Sequence, residues 1–240
     1  MTADAARLTP AQEIAFAQAM RDELRLPMIR TQQVRPAPVV QPPLTPNYIE
    51  LGRAEDTGAP VGLDPSRLID GRLLIQGSSG AGKSWTLRRL LEQTADRIQQ
   101  IVIDPEGDLA SLAERFQHTV INAARLAPAA LAAAANRIRR HRLSVILDLS
   151  DMEREAQMQA VAAFLDALIA APRDLWTPAL VAIDEAHLFA PFGVQSGESA
   201  IVRKASVAAV TDLMSRGLKR GLAGVLATQR LARLSKSVLS

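Results

Sequence analysis

Between residues 72 and 229, short apolar runs alternate with longer stretches whose apolar residues recur every three or four positions. The runs are "RLLIQG", "QQIVID", "HTVIN", "LSVILDLS", "ALVAID" and "LAGVLATQ". They are rich in branched aliphatic residues with little polar alternation, as strands covered on both faces are. The periodic stretches predict four helices: one from the end of a glycine-rich octet to about residue 95, an alanine-rich one at 128–141, one over 151–171 and one over 200–219. Strand and helix in strict alternation predict an α/β fold, a mainly parallel sheet with helices on both faces.

Upstream the pattern changes. "LTPAQEIAFAQAMRDEL" opens with Thr9, Pro10 and Gln12, which suit an N-cap, a first-turn proline and a capping box ahead of an amphipathic helix. Six prolines then fall between Pro27 and Pro46, a composition that favours an extended, semi-rigid linker. The expected organisation is residues 1–46 as helix and linker, and 47–240 as the α/β domain.

Composition narrows the chemistry. The 240 residues contain no cysteine, which excludes disulfides and thiolate metal sites and agrees with a cytoplasmic setting. Three scattered histidines argue against a metal held by protein ligands alone. The start of the chain lacks the pattern of a secretory signal, and "MQAVAAFLDALIAA" is too short to span a bilayer, so no membrane is expected. The net charge of +3 is unevenly placed: residues 203–240 carry eight Lys or Arg against Asp212 alone, leaving the rest acidic. A polyanion such as DNA is one reading of that tail, and a solvated helix face with active-site arginines is the other.

The octet "GSSGAGKS", residues 77–84, fits G-x-x-x-x-G-K-[ST] between a strand and a helix. Gly77, Ser78, Ser79, Gly80, Ala81 and Gly82 would curl main-chain N–H groups around a phosphate. Lys83 would reach the β/γ-phosphates, and Ser84 would ligate Mg²⁺. Trp85, next in line, suits core packing or packing beside a base. In "LVAIDEAH" a buried strand delivers Asp184 to the Mg²⁺ shell, with Glu185 one residue on to polarise an attacking water.

Other groups fall at strand ends, the edge where such sheets bind ligands. Asp104, Glu106 and Asp108 in "IDPEGD" either order metal-bound water or serve as turn and cap residues, and Asp148 suits a helix cap. Gln229 could touch the γ-phosphate or its water. Arg216, Lys219, Arg220 and Arg230 are candidates for an arginine supplied to a neighbour's phosphate, and each also suits a helix end. His187 senses nucleotide or caps a loop. "RIRRHR", residues 137–142, reads as a solvated helix terminus rather than a nucleic-acid contact.

The stretches "LIQGSSGAGKS", "VIDPEGD", "VILDLS", "VAIDEAH" and "RGLKRGLAGVLATQRLARLSKSVLS" together resemble the HerA/FtsK superfamily of P-loop motor ATPases, in particular HerA-like bacterial ATPases. The resemblance covers about residues 47–240. It implies a RecA-like ATPase core in a ring, usually of six subunits, that hydrolyses ATP at subunit boundaries and pulls double-stranded DNA through its pore. Lys83 and Ser84 match the Walker A positions, Asp184 and Glu185 the Walker B pair, and Gln229 the polar residue on the following strand. The trans arginine has no unique counterpart. HerA proteins often carry a β-barrel before the core and continue beyond "SKSVLS", leaving open whether this chain is natural or truncated at its end.

Three rivals stand beside that reading. "DEAH" also occurs in two-domain helicases, which need a second RecA-like half. Secretion and conjugation ATPases of the same superfamily move protein or DNA–protein substrates. A nucleotide-dependent regulatory module would use the N-terminal helix to dock a nuclease or other protein partner.

Overall fold

The computed structural model describes residues 48–193 and 199–239, all within one compact unit, Leu44–Ser240. The expected N-terminal helix and nearly all of the proline-rich linker lie outside the described residues. A two-stranded antiparallel hairpin comes first, β1 (Ile49–Arg53) with β2 (Pro60–Leu63), followed by the short helix α1 (Pro65–Ile69). The carboxylate of Asp64 caps α1 by accepting from the Ser66 N–H at 2.9 Å.

The remaining strands are β3 (Leu73–Gln76), β4 (Gln99–Asp104), β5 (His118–Asn122), β6 (Ser144–Asp148), β7 (Ala179–Ile183) and β8 (Leu222–Thr228). They form one six-stranded sheet in the order β3-β8-β7-β4-β6-β5, with every neighbouring pair parallel. The connecting helices are α2 (Lys83–Thr94), α3 (Pro128–His141), α4 (Arg154–Ala170) and α5 (Ala200–Arg216). The fold is therefore the parallel α/β sheet expected. The last helix stops at Arg216 and a separate 3-10 turn, Leu218–Arg220, follows, so it is shorter than its apolar pattern predicts.

Period-two alternation divides the core into two layers. Ile101, Ile103, Val145, Leu147, Val181 and Ile183 face Leu131, Phe164, Leu165 and Val210 of α3, α4 and α5. Val102, Ile146, Leu180 and Ala182 point the other way, onto Leu87, Leu90 and Leu91 of α2 and Ile49 of the hairpin. The strands read as unbroken apolar runs because both layers are dry.

Topology places the site. Strand β8, last in sequence, lies between β3 and β7. Because all six strands run the same way, Asp104 and Asp148, the last residues of β4 and β6, share one edge of the sheet with Gly77, Asp184 and Gln229, which directly follow β3, β7 and β8. Arg216, Lys219 and Arg220 precede β8 and fall at the opposite edge. Among the described residues no helix is long and apolar enough to cross a membrane.

Candidate nucleotide site

Strand β3 delivers Gly77 to the sheet edge, where its N–H reaches the carbonyl of Thr228 at 3.4 Å. The loop that follows turns through left-handed backbone at Gly80 (φ 80) and Gly82 (φ 84), conformations that a side chain disfavours. Ser78, Ser79, Gly80 and Ala81 are exposed. Gly82 is the N-cap of α2 and supplies no side-chain hydrogen bond, so the first N–H groups of a twelve-residue helix open onto the loop. Those donors and the positive helix end form a cradle for an anion.

Lys83 departs from the habit of lysines: it is 5% exposed. Its ammonium ion-pairs with Asp184 and lies 2.9 Å from Glu185 Oε1. Burial alone would depress its pKa, but the two carboxylates outweigh burial and hold it above the ordinary value. Asp184 also accepts from the N–H of Glu185 at 2.7 Å. Glu185 is buried, and neither of its carboxylate oxygens has a hydrogen-bond partner, the Lys83 contact lacking hydrogen-bond alignment. Its backbone is left-handed (φ 43, ψ 46), strain that a non-glycine residue adopts only when its surroundings impose it.

His187 completes the buried group. Its Nδ1 lies 3.2 Å from Glu185 Oε2 and 3.1 Å from Thr228 Oγ1. Burial, seconded by Arg154, Arg230 and Arg233, pulls its pKa below the ordinary value despite the charge of Glu185. Thr228 ends the last strand beside Gln229, but its contact with a histidine 41 residues away leaves no local signal in the sequence.

The other candidates separate by position. Asp104 is buried and has both oxygens engaged, accepting from Gly107 N–H at 2.9 Å and Leu109 N–H at 2.8 Å, so it braces the turn after β4. Burial nevertheless pushes its pKa up. Glu106 sits on the exposed rim, its pKa raised by partial desolvation and then by the negative charges of Glu185, Asp108 and Asp184, which places it beside the buried acids. Asp148 caps a local turn, accepting from Ser150 N–H at 2.9 Å, and not the helix as expected, whose N-cap is Glu153. Gln229 and Arg230 are exposed on the site edge.

Two expectations are corrected. Of the two readings of Trp85, core packing falls and packing beside a base stands untouched: it is 77% exposed, because the buried stripe of α2 runs through Leu87, Leu91 and Thr94, and position 85 falls on the opposite face. "RIRRHR" is not wholly a solvated terminus. Arg139 follows Ala135 by one turn on the buried stripe of α3, is 1% exposed, and donates to the carbonyls of Thr177 (2.9 Å) and Arg220 (2.7 Å). Arg220 in turn donates to the carbonyl of Ile169 and stacks its guanidinium over Trp176 at 5.2 Å, and Arg216 pairs with Asp212 at 2.9 Å. Lys219 is exposed.

A parallel sheet with a glycine-rich loop at one strand end, its lysine against acids from a second strand, defines a P-loop nucleotide-binding fold. The family is that of helicase HerA, central domain: its model matches residues 49–172, just over half the chain, and the chain belongs to it. The protein is thus a HerA-type P-loop ATPase. The match ends before β7, so Asp184 and Glu185 join the site by geometry alone.

No curated protein sequence matches the chain. Among solved structures, VirB4 of Thermoanaerobacter pseudethanolicus is similar in fold, with a TM-score of 0.55 at 16% identity over 81% of this chain and 80% of that one. Weaker likenesses are the genome packaging NTPase B204 from Sulfolobus turreted icosahedral virus 2 in complex with AMPPCP (0.42, 14%, over 71% and 70%) and Thermomonospora curvata EccC, ATPases 2 and 3, in complex with a signal sequence peptide (0.47, 16%). The last match covers 80% of this chain and 32% of that one.

Proposed function

We propose that the chain binds ATP with Mg²⁺ at this sheet edge, hydrolyses it, and works as one subunit of a ring, a hexamer by the family pattern, that translocates double-stranded DNA. The observation that carries the reading is the convergence of Lys83 with Asp184 and Glu185. Residues about a hundred positions apart bring one cation and two carboxylates into a dry pocket below an anion cradle.

Each residue then has a task. Gly77 to Gly82 give main-chain donors to the phosphates, and Lys83 leaves the acids for the β/γ oxygens. Ser84 and Asp184 offer hard oxygen donors. Two such donors suit an ion that takes one or two protein oxygens and fills its shell with phosphate and water. Such an ion, when bound, neutralises charge developing on the phosphates. Glu185, with both oxygens lacking hydrogen bonds, is suited to orient the attacking water. In this reading Glu106 on the rim and Gln229 just after β8 touch that water or the γ-phosphate, with Asp104 bracing the turn that carries Glu106.

Arg216, Lys219 and Arg220 lie at the far edge of their own sheet, so any of them acting as the trans arginine does so on a neighbouring subunit's phosphate, whereas Arg230 lies at its own site edge. The basic 203–240 segment is the DNA contact in this reading.

The test is ATP turnover of the intact chain with and without duplex DNA, with Lys83→Ala as control. Expected are stimulation by DNA, binding that weakens steeply as salt rises, and ring-shaped particles. Turnover indifferent to DNA but responsive to a protein partner would replace DNA with protein as the moved polymer.

A further inference from the structure

His187 stands where the two arms of the site meet. Its Nδ1 lies 3.2 Å from Glu185 Oε2, a contact without hydrogen-bond alignment that becomes a hydrogen bond when the ring carries its proton on Nδ1 and the carboxylate turns towards it, since a carboxylate has no proton to give. The same nitrogen lies 3.1 Å from Thr228 Oγ1, and that hydroxyl accepts from the main-chain N–H of Arg230 at 3.1 Å. A line of polar contacts therefore runs from Glu185 at the end of β7, through His187 and Thr228, to the turn after β8 that carries Gln229. His187, Thr228 and Glu185 are all buried.

The line matters because of what nucleotide takes away. The Glu185 carboxylate has Lys83 beside Oε1 and His187 beside Oε2. A triphosphate seated over the loop draws the ammonium of Lys83 onto itself, and Glu185 loses its cation at the moment it must aim a water. Its backbone is left-handed, so relaxation would swing the carboxylate away from where the fold holds it. Of the two side-chain contacts, the one to His187 does not compete with phosphate.

We propose that His187 is a positioning residue for ATP hydrolysis: it fixes the Glu185 carboxylate after Lys83 has turned to the phosphates, and it couples that carboxylate to Thr228 and the Gln229 turn. The inference rests on Glu185 being the residue that orients the attacking water. His187 itself touches neither nucleotide nor water, and its effect travels through Glu185.

The experiment is steady-state ATP turnover by the intact chain, paired with calorimetric affinity for a non-hydrolysable ATP analogue and thermal melting, for the wild type, His187→Ala, His187→Asn, Thr228→Val and the His187→Ala/Thr228→Val double variant. Misplacing a water-orienting carboxylate predicts that His187→Ala lowers kcat between about 10- and 100-fold while analogue affinity stays within a few-fold. His187→Asn, whose amide keeps an N–H near the place of Nδ1, recovers most of that loss. Thr228→Val lowers kcat as well, and the double variant is no worse than His187→Ala, because both changes break one line.

Wild-type kcat in His187→Ala overturns the inference, as does an affinity loss with kcat intact, or additive losses in the double variant. Should His187→Ala fail to fold, His187→Asn and Thr228→Val carry the same test, and an Asn variant that melts normally yet turns over no faster than background also overturns it. Analogue binding without turnover in the wild type sinks the hydrolysis reading first and this inference with it, a result distinguishable from normal turnover that ignores His187.

Discussion

Lys83 Nζ and Glu185 Oε1 lie 2.9 Å apart in a pocket where both side chains are about 95% buried, with Asp184 on the same ammonium. One cation thus faces two carboxylates, and His187 is held towards its neutral form. The group as a whole carries a surplus negative charge out of water, which costs free energy.

That surplus sets opposite expectations for two variants. Lys83→Ala leaves two buried acids uncompensated and should lower stability without nucleotide by about 3–5 kcal/mol. Glu185→Gln removes the extra charge and leaves the Lys83–Asp184 pair, so its stability should stay within about 1 kcal/mol of wild type. Turnover should nevertheless fall about 10²- to 10⁴-fold, the usual worth of a positioned general base. Denaturant unfolding and single-turnover kinetics on the same preparations check both; a Glu185→Gln protein as destabilised as Lys83→Ala would contradict the charge argument.

Among the described residues two non-glycine side chains occupy left-handed backbone, Arg142 (φ 51) and Glu185 (φ 43), and they make a natural comparison. Arg142 is the C-cap of α3, a position that glycine fills without strain. Arg142→Gly should therefore raise stability by about 1 kcal/mol, or a few degrees in Tm, and leave turnover unchanged. Glu185→Gly relieves the same strain but removes the carboxylate, so it should melt no lower than Glu185→Ala and hydrolyse nothing. Equal stability of the Gly and Ala variants at both positions would show that neither backbone is strained.

The strands and their phosphate loop were legible because each is a local pattern: an apolar run, a glycine spacing, a pair of acids. Strand order was not, since nothing near "LAGVLATQ" says that it inserts between β3 and β7. The same limit hid His187 against Thr228, and Arg139 against Thr177 and Arg220, contacts made across loops and sheet edges. The core alternative for Trp85 fails for a different reason. Aromatic residues are usually buried, but helical phase, readable from Leu87 and Leu91, already put it on the outer face.

Arg139 is a case where charge and function part company. It is fully buried, its pKa is pulled down by desolvation, and its fork spans two carbonyls that join the loops before β7 and β8. Arg139→Lys keeps the charge but cannot bridge both acceptors, and Arg139→Met keeps bulk but leaves two buried carbonyls unpaired. Either should cost roughly 2–4 kcal/mol, while the salt dependence of any DNA binding stays as in wild type. A flattened salt slope in these variants would instead make Arg139 a phosphate contact and contradict its burial.

His118 supplies the pH dependence. It is buried, its Nε2 lies 2.8 Å from Gln100 Oε1, and its Nδ1 has no hydrogen-bond partner. Gln100 spends its own amide donors on Leu91 O and Thr94 Oγ1, so its oxygen accepts and the ring carries its proton on Nε2. A second proton would go to Nδ1, where nothing receives it, and burial accordingly depresses the pKa below 6.5. In the unfolded chain the ring protonates normally, so below pH 6.5 the unfolded state binds more protons and stability falls as pH drops towards the folded-state pKa. Above 6.5 both states are neutral and the contribution is complete. His187, depressed in the same sense, adds a parallel acid loss. His118→Gln keeps an N–H near the place of Nε2 and cannot be protonated in this range. Unfolding free energy measured between pH 7.5 and 5 should therefore fall less steeply in His118→Gln than in wild type, by up to one proton's slope, about 1.4 kcal/mol per pH unit. An unchanged slope would mean that His118 is protonated in the folded protein, in conflict with its dry surroundings.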